Sequence, residues 1–141
     1  AEPKVWQIPH GNVLGTFGDF SKNDPKRGLL IVEGIFDYLT ACHLAPWNQY
    51  NVYGVHSCSN IPKVCIFIAN AIRSTSVKFV QHNDAAGREA VDKGCRDLIN
   101  AGVRRESISI VDIPGDCGDL NDYLVKHGGQ KTRDLLGIND D

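Results

Sequence analysis

The chain is 141 residues long, with 15 basic and 17 acidic side chains, a formal net charge of −2 and 42% hydrophobic residues. At about 100–200 residues per domain, this length predicts one domain with its own core, and the balanced composition excludes whole-chain disorder. No apolar run approaches the ~18 residues of a membrane span, so no membrane association is expected. The slightly acidic charge excludes a global attraction to nucleic acid but leaves room for a local basic patch.

The first residues and the cysteines indicate where the protein works. Residues 1–4 lack the basic and then apolar layout of a signal peptide, and the sequence contains no methionine, so we expect a processed chain or a piece of a longer one. Five cysteines are scattered without a C-x-x-C pair, which argues against a zinc ribbon or a dithiol redox motif. Such a set favours a reducing cytoplasm, with most thiols acting as small core residues.

Residues 1–28 differ in pattern from the rest of the chain. Residues 5–20 alternate loosely between apolar and polar types and are punctuated by glycine, which predicts a short β-hairpin. A polar, basic turn over residues 21–28 follows it and includes Lys26 and Arg27. We treat this segment separately from the domain that follows.

From residue 29 onward, predicted strands alternate with predicted helices. Residues 29–32 form the short continuous apolar run that is typical of a strand buried on both faces. Further strands are predicted at 51–56, 77–81 and 107–113, and helices at 35–44, 62–73, 84–101, 119–127 and 132–136. This order predicts an α/β fold in which about four mostly parallel strands are flanked by helices. The main domain is predicted over residues 29–127, and residues 128–141 form a C-terminal helix and tail.

Acidic residues follow three of the predicted strands. Glu33 comes directly after the first strand and Asp37 one turn into the next helix, while Asp84 follows the third strand and Asp119 the fourth. Since ligands of open α/β sheets bind beyond the carboxyl ends of the strands, these groups are expected at one edge. Converging carboxylates repel one another and need a cation, and an oxygen-only set suits Mg²⁺ or Mn²⁺. Such metals organise phosphoryl transfer.

A simpler interpretation is open for two of these carboxylates. Asp84 and Asp119 each precede a predicted helix, where an aspartate commonly caps backbone N–H groups and complements the helix dipole. Glu33 is harder to explain in this way. It lies outside any cap position and would be costly if it were half-buried without a partner.

Three segments together resemble the motifs of Toprim domains. Residues 33–37, Glu-Gly-Ile-Phe-Asp, resemble the E-G-x-x-D motif, and residues 82–90, His-Asn-Asp-Ala-Ala-Gly-Arg-Glu-Ala, resemble D-x-D-x-A-G-x-x-A. Residues 116–124 resemble the K-D-x-N-D-x-L stretch. The resemblance covers residues 27–124 and is closest to the DNA primase-like Toprim proteins of phages, plasmids and mobile elements. Residues 8–18 also resemble a segment upstream of the bacterial primase Toprim, so residues 1–28 are interpreted as a remnant of a primase core subdomain.

The resemblance implies a metal-dependent nucleotidyl transfer that makes RNA primers on single-stranded DNA. By position in the motifs, Glu33 and Asp84 correspond to the catalytic residues, and Asp37 and Asp119 join them as ligands of Mg²⁺ or Mn²⁺. The partners that it implies are single-stranded DNA and nucleotides, with a helicase or a zinc-binding module in the parent chain. A cytoplasmic location is expected.

His82 departs from the family pattern, because the family has the first aspartate of D-x-D at this position. Imidazole is a poor Mg²⁺ ligand and carries no negative charge when neutral, so the affinity for Mg²⁺ should fall. Three accounts stay open: Mn²⁺ with His82 as a nitrogen ligand, compensation by Asn83 or Asp116, or a catalytically degenerate module that binds nucleic acid or a replication partner. A Toprim nuclease is a further alternative.

Basic residues offer a path for nucleic acid. Lys26 and Arg27 precede the first strand, Lys78 lies in the third strand, and Arg88 lies in the first turn of the following helix. Lysine and arginine near a metal site hold phosphates, and Arg88 is the strongest candidate because it is next to Asp84. The alternative for any single one of them is a solvated surface charge.

Overall fold

The computed structural model describes residues 27–45, 49–69 and 76–138. The strands within this part are β1 Gly28–Val32, β2 Tyr50–Gly54, β3 Val77–Gln81 and β4 Ile108–Asp112. The helices are α1 Ile35–Leu44, α2 Ile61–Ala69, α3 Ala85–Asn100, α4 Leu120–His127 and α5 Gly129–Leu136. Short 3₁₀ turns span Cys58–Asn60 and Arg105–Ser107. The predicted hairpin and Lys26 lie outside the described residues.

The four strands form one parallel sheet in the order β2-β1-β3-β4. The α/β prediction is therefore confirmed. The chain leaves β1 for β2 on one side and then returns to place β3 on the other side of β1. The carboxyl ends of β1 and β3 thus flank the point where the winding reverses, which is where open α/β sheets form a binding crevice.

Both faces of the sheet are covered, and β1 shows this most clearly. Leu29 and Ile31 pack on the α2 and α3 side, whereas Leu30 and Val32 pack on the side of α1, α4 and α5. All four side chains are almost completely buried, which explains the continuous apolar run of this strand. Leu136 of α5 is fully buried in the second cluster, so α5 packs against the same domain.

Within the described residues, two element boundaries differ from the prediction by two or more residues, and both have identifiable backbone reasons. Strand β2 ends at Gly54 rather than at residue 56, and His56 then takes a left-handed conformation with φ of 70°, which a strand does not allow. Helix α5 begins at Gly129 instead of residue 132, because Gly128 alone, with φ of 86°, supplies the turn after α4. The predicted end of α2 lies outside the described residues.

The thiols and the helix lengths can be compared with the composition arguments. All five cysteines are free, and Cys65 and Cys117 are buried in the two core clusters, whereas Cys42 is exposed. In the described part of the chain, no helix combines the length and the apolar character needed to cross a membrane. The cytoplasmic location stays a prediction.

Candidate functional site

The imidazole of His82 lies between two carboxylates at the carboxyl edge of the sheet. Its Nδ1 is 3.1 Å from Oε2 of Glu33, and its Nε2 is 2.5 Å from Oδ2 of Asp37. His82 follows β3 and Glu33 follows β1, so neighbouring strand ends bring these side chains together. The structure thus places three of the predicted site residues in direct contact.

Asp37 is built into the fold. Its side chain is 1% exposed, and its Oδ1 accepts a hydrogen bond from the Leu120 backbone N–H at 2.8 Å. Its Oδ2 also accepts from the Gly34 N–H at 3.3 Å, in addition to contacting His82. One carboxylate therefore connects the start of α1, the start of α4 and the end of β3.

Asp84 and Asp119 are both helix N-caps, as the simpler interpretation proposed. Oδ1 of Asp84 accepts from the Gly87 N–H at 2.6 Å, and Oδ1 of Asp119 accepts from the Asp122 N–H at 2.7 Å. A Cβ at Gly87 would lie only 3.0 Å from the Asp84 carboxylate, so glycine allows this close approach. Capping does not separate these two groups from the cluster, since Asp84 acts electrostatically on Glu33 and Asp119 acts on His82.

The two half-buried members of the cluster have perturbed protonation. Burial raises the pKa of Glu33, and the charges of Asp84 and Asp37 raise it further, against the opposing effect of His82. The hydrogen bond with Asp37 raises the pKa of His82, and the charges of Asp37, Glu33 and Asp119 add to that effect, while burial opposes it. The fold therefore shifts both groups toward their protonated forms, the imidazolium of His82 and the neutral carboxyl of Glu33.

Backbone groups complete the site, and sequence reasoning missed them. The Cys58 N–H donates a hydrogen bond to the Glu33 carboxylate, and the Asn60 side chain donates to the Val55 carbonyl at 2.9 Å, which holds the same loop. A backbone donor leaves no signal in residue type. The left-handed His56 in this loop also could not be expected from the sequence.

The predicted basic residues are distributed unevenly around the site. The Arg88 guanidinium donates to the Asn83 side-chain oxygen at 2.7 Å and is exposed beside Asp84. The Lys78 ammonium instead donates to the Leu136 carbonyl at 2.5 Å and lies 5.6 Å from the Tyr50 ring centroid. Arg27 precedes β1, at the edge of the sheet opposite to Glu33. Arg88 is thus the described basic residue that adjoins the carboxylates.

The cluster fits a divalent cation by charge and by donor type. The imidazole of His82 contacts the carboxylates of Glu33 and Asp37, Asp119 acts on it electrostatically, and Asp84 acts on Glu33. The imidazole ring lies between Glu33 and Asp37. In the described part of the chain, the group of three potential ligand atoms within 4.8 Å of one another belongs to other residues, Asp116, Cys117 and His127. Mg²⁺ does not need such a group, because it is usually held by one or two carboxylates, waters and substrate phosphates. Glu33 and Asp84 can supply that pair.

Comparisons with known proteins agree with this architecture. No protein-family model matches the chain, and no curated protein matches it. The primase fragment of the bacteriophage T7 primase-helicase protein matches with a TM-score of 0.62 and 19% identity, over 78% of this chain and 43% of that one. A small TOPRIM domain protein from Bacillus stearothermophilus matches with a TM-score of 0.51 and 14% identity, over 74% of this chain and 83% of that one.

A second bacteriophage T7 structure shows the same likeness. It contains the lagging-strand DNA polymerase interacting with primase domains of two gp4 subunits bound to an RNA/DNA hybrid and dTTP, and it matches with a TM-score of 0.63 and 19% identity. The match covers 79% of this chain and 54% of that one, so the chain spans about half the length of the two phage structures. At these identities the likeness establishes the fold, and the predicted Toprim fold is confirmed.

Proposed function

We propose that this chain is the Toprim catalytic core of a primase-like protein, which joins ribonucleotides on a single-stranded DNA template with Mg²⁺ or Mn²⁺. The observation that carries the proposal is the contact of His82 with Glu33 and Asp37 at the switch point of the sheet, with Asp84 acting electrostatically on Glu33 and Asp119 on His82. The likeness to phage primase structures supports it. Because the chain spans about half of those structures, we propose that a helicase or a zinc-binding module accompanies it in the parent protein. A cytoplasmic location is also part of the proposal.

Glu33 and Asp84 would hold the metal, which when bound supplies a Lewis acid for the phosphoryl oxygens. Burial and the charges of Asp84 and Asp37 disfavour the ionised form of Glu33 and so raise its pKa. A raised pKa suits a carboxyl group that takes part in proton exchange or whose negative charge is balanced by a bound cation. Arg88, exposed one turn beyond Asp84, would hold a phosphate of the nucleotide or of the DNA. The contact between His82 and Glu33 would orient the glutamate toward this space.

A second candidate is a Toprim module that binds nucleic acid without catalysis. The observation that favours it is the position of His82, whose ring contacts both Glu33 and Asp37. A protonated imidazole there would act as an internal cation and compete with an external one. This candidate predicts nucleic-acid binding that is indifferent to Mg²⁺ and Mn²⁺.

Metal titration by calorimetry separates the two candidates. We would compare the wild type with Glu33→Gln, Asp84→Asn and His82→Asp. Asparagine caps helices as well as aspartate does, so Asp84→Asn removes the charge while it keeps the cap. Asp92→Asn, an exposed position on the same helix, is the matched control.

The proposal requires metal binding in the wild type and in Asp92→Asn that is lost in Glu33→Gln and Asp84→Asn. Nucleotide addition on a single-stranded template should follow the same pattern. Binding that appears only in His82→Asp would contradict the catalytic proposal and favour the module. Nicking of supercoiled plasmid with Mn²⁺, without nucleotide addition, would point to a nuclease instead.

A further inference from the structure

A second group of chemically different side chains converges away from the Glu33 cluster. Asp116 and Cys117 lie in the loop between β4 and α4, and His127 is the last residue of α4. One ligand atom from each of the three lies within 4.8 Å of the other two. The group offers an oxygen, a sulfur and a nitrogen, and it shares no residue with the Glu33 cluster.

The spacing within this group is somewhat wider than that around a tetrahedral ion. Cys117 Sγ is 3.7 Å from Oδ1 of Asp116, and His127 Nε2 is 3.9 Å from Oδ2 of Asp116. Zinc bonds of about 2.0 Å to nitrogen and oxygen and about 2.3 Å to sulfur place neighbouring tetrahedral ligands roughly 3.3–3.6 Å apart. The two distances run to different oxygens of Asp116, and the three ligand atoms lie within 4.8 Å of one another, so shifts of up to about an ångström would bring them to bonding positions.

Both segments that carry the ligands are held by other contacts. The Cys117 N–H donates to the Pro114 carbonyl at 2.9 Å, and the Gly118 N–H donates to Oδ2 of Asp122 at 2.9 Å. The Tyr123 ring packs on the His127 ring with centroids 4.4 Å apart, one turn earlier in α4. The loop and the imidazole are thus positioned without an ion, which lowers the entropic cost of binding one.

The surrounding charges also suit a dication. Lys126 is the adjacent cation, but its ammonium lies 3.1 Å from Oδ2 of Asp122 and donates to the Asp116 carbonyl, so it is already compensated. Together with Asp116 and a Cys117 thiolate, these groups carry a net charge near −2. Cys117 is 4% exposed whereas the Asp116 side chain is 65% exposed, so the site is walled on one side and open to solvent on the other.

We propose that Asp116, Cys117 and His127 bind a borderline-soft divalent metal, with Zn²⁺ as the best match. Mixed sulfur and nitrogen ligands select such ions over Mg²⁺. Binding replaces the S–H bond of Cys117 with a metal–sulfur bond and releases one proton to solvent. Three protein ligands leave the fourth position to water, as in zinc sites that are not closed. The ion would tie the β4–α4 loop to the far end of α4 and so fix Asp119, two residues beyond Cys117.

Titration with Co²⁺ under reducing, chelator-free conditions tests this assignment, because a cobalt–thiolate bond gives a near-ultraviolet charge-transfer band. The variants are Cys117→Ser, His127→Gln and Asp116→Asn, and the matched controls are Cys42→Ser and His43→Gln on the exposed face of α1. We expect one Co²⁺ per chain with a thiolate band in the wild type and both controls, displaced by Zn²⁺. Cys117→Ser should lose the band, and His127→Gln and Asp116→Asn should weaken binding roughly tenfold or more.

The absence of a thiolate band in the wild type would overturn the proposal, as would a band that persists in Cys117→Ser. Because Cys117 is buried, circular dichroism would establish that the serine variant folds. If it does not fold, Asp116→Asn and His127→Gln decide the question, since both side chains are largely outside the core. Unchanged Co²⁺ affinity in those two variants would also overturn the assignment.

Discussion

Glu33 and Asp37 contact the same imidazole from opposite sides, yet their surroundings differ. Asp37 is 1% exposed and accepts backbone hydrogen bonds from Leu120 and Gly34. Glu33 is 19% exposed, and it accepts a backbone hydrogen bond from Cys58. Burial is the main cause of its raised pKa. Both residues belong to the same E-G-x-x-D motif.

The difference indicates that one motif contains two kinds of carboxylate. The oxygens of Asp37 are used to join α1, β3 and α4, so its main effect should be on folding. Glu33 carries incompletely compensated charge near Asp84, so its main effect should be on ligand binding. Variants that separate stability from binding can break or sharpen this division.

The largest effect on stability is expected from Asp37→Ala. The change leaves the buried Leu120 N–H without its acceptor and removes the partner of the His82 Nε2, so the free energy of unfolding should fall by about 3 kcal/mol. Chemical denaturation measures it. Asp92→Ala, which breaks an exposed pair with Arg96, is the control and should change stability by about 0.5 kcal/mol or less. A gain of stability in Asp37→Ala would instead mean that Asp37 is held against the repulsion of neighbouring carboxylates, as a metal ligand is, and does not stabilise the fold.

A smaller effect is expected at Asp84, where capping and charge can be separated. Asp84→Ala removes the acceptor of the Gly87 N–H and should cost about 1 kcal/mol, whereas Asp84→Asn should leave stability nearly unchanged. Denaturation midpoints of the two variants check this. Equal losses in both would show that the charge of Asp84, rather than its cap, stabilises the fold.

The pH dependence of stability should report on His82. Its folded-state pKa is raised above 6.5, chiefly by the hydrogen bond with Asp37, so the folded chain holds the proton more tightly than the unfolded chain. This stabilisation is complete below 6.5 and is lost as the pH rises through the folded-state pKa. Denaturation at about pH 6 and about pH 9 should show a loss in the wild type that His82→Gln lacks. Equal losses in both would exclude the imidazolium as a stabilising group.

Much of the fold could be predicted because its signals are local. The apolar run of β1 and the aspartate caps of α3 and α4 reflect burial and hydrogen bonding within a few residues. The motifs likewise identified the edge at which Glu33, Asp37 and His82 meet. Their division of roles could not be predicted, because it depends on backbone donors such as Leu120 and Cys58, which any residue type supplies. The grouping of Cys117 with His127 depends on the exact length of α4.

A small effect on stability is expected from Glu33→Gln, and it has the opposite sign to that of Asp37→Ala. The folded-state pKa of Glu33 is raised above 4.5, so ionising this side chain is less favourable in the folded chain than in the unfolded chain. The free energy of unfolding therefore falls as the pH rises from 4.5 through the folded-state pKa, and a neutral isostere avoids this loss. Because the side chain is partly exposed, solvent screens the effect, and a gain of about 0.5 kcal/mol or less is expected.

A bound divalent metal should make the wild type more stable than Glu33→Gln, the reverse of the metal-free order, so unfolding in the presence of metal is the sharper measurement. Mn²⁺ at ten times its dissociation constant should stabilise the wild type by about 1.4 kcal/mol, whereas Glu33→Gln should not respond. Thermal unfolding with and without Mn²⁺ gives both values, with Asp92→Asn as the control that responds like the wild type. Zn²⁺ is left out because the Cys117 group would bind it. If Glu33→Gln also gains stability from Mn²⁺, the metal binds elsewhere and the division between Glu33 and Asp37 does not hold. Together with a gain of stability in metal-free Glu33→Gln, a response restricted to chains with Glu33 would mean that the ionised glutamate destabilises the free protein and that the bound metal offsets this effect.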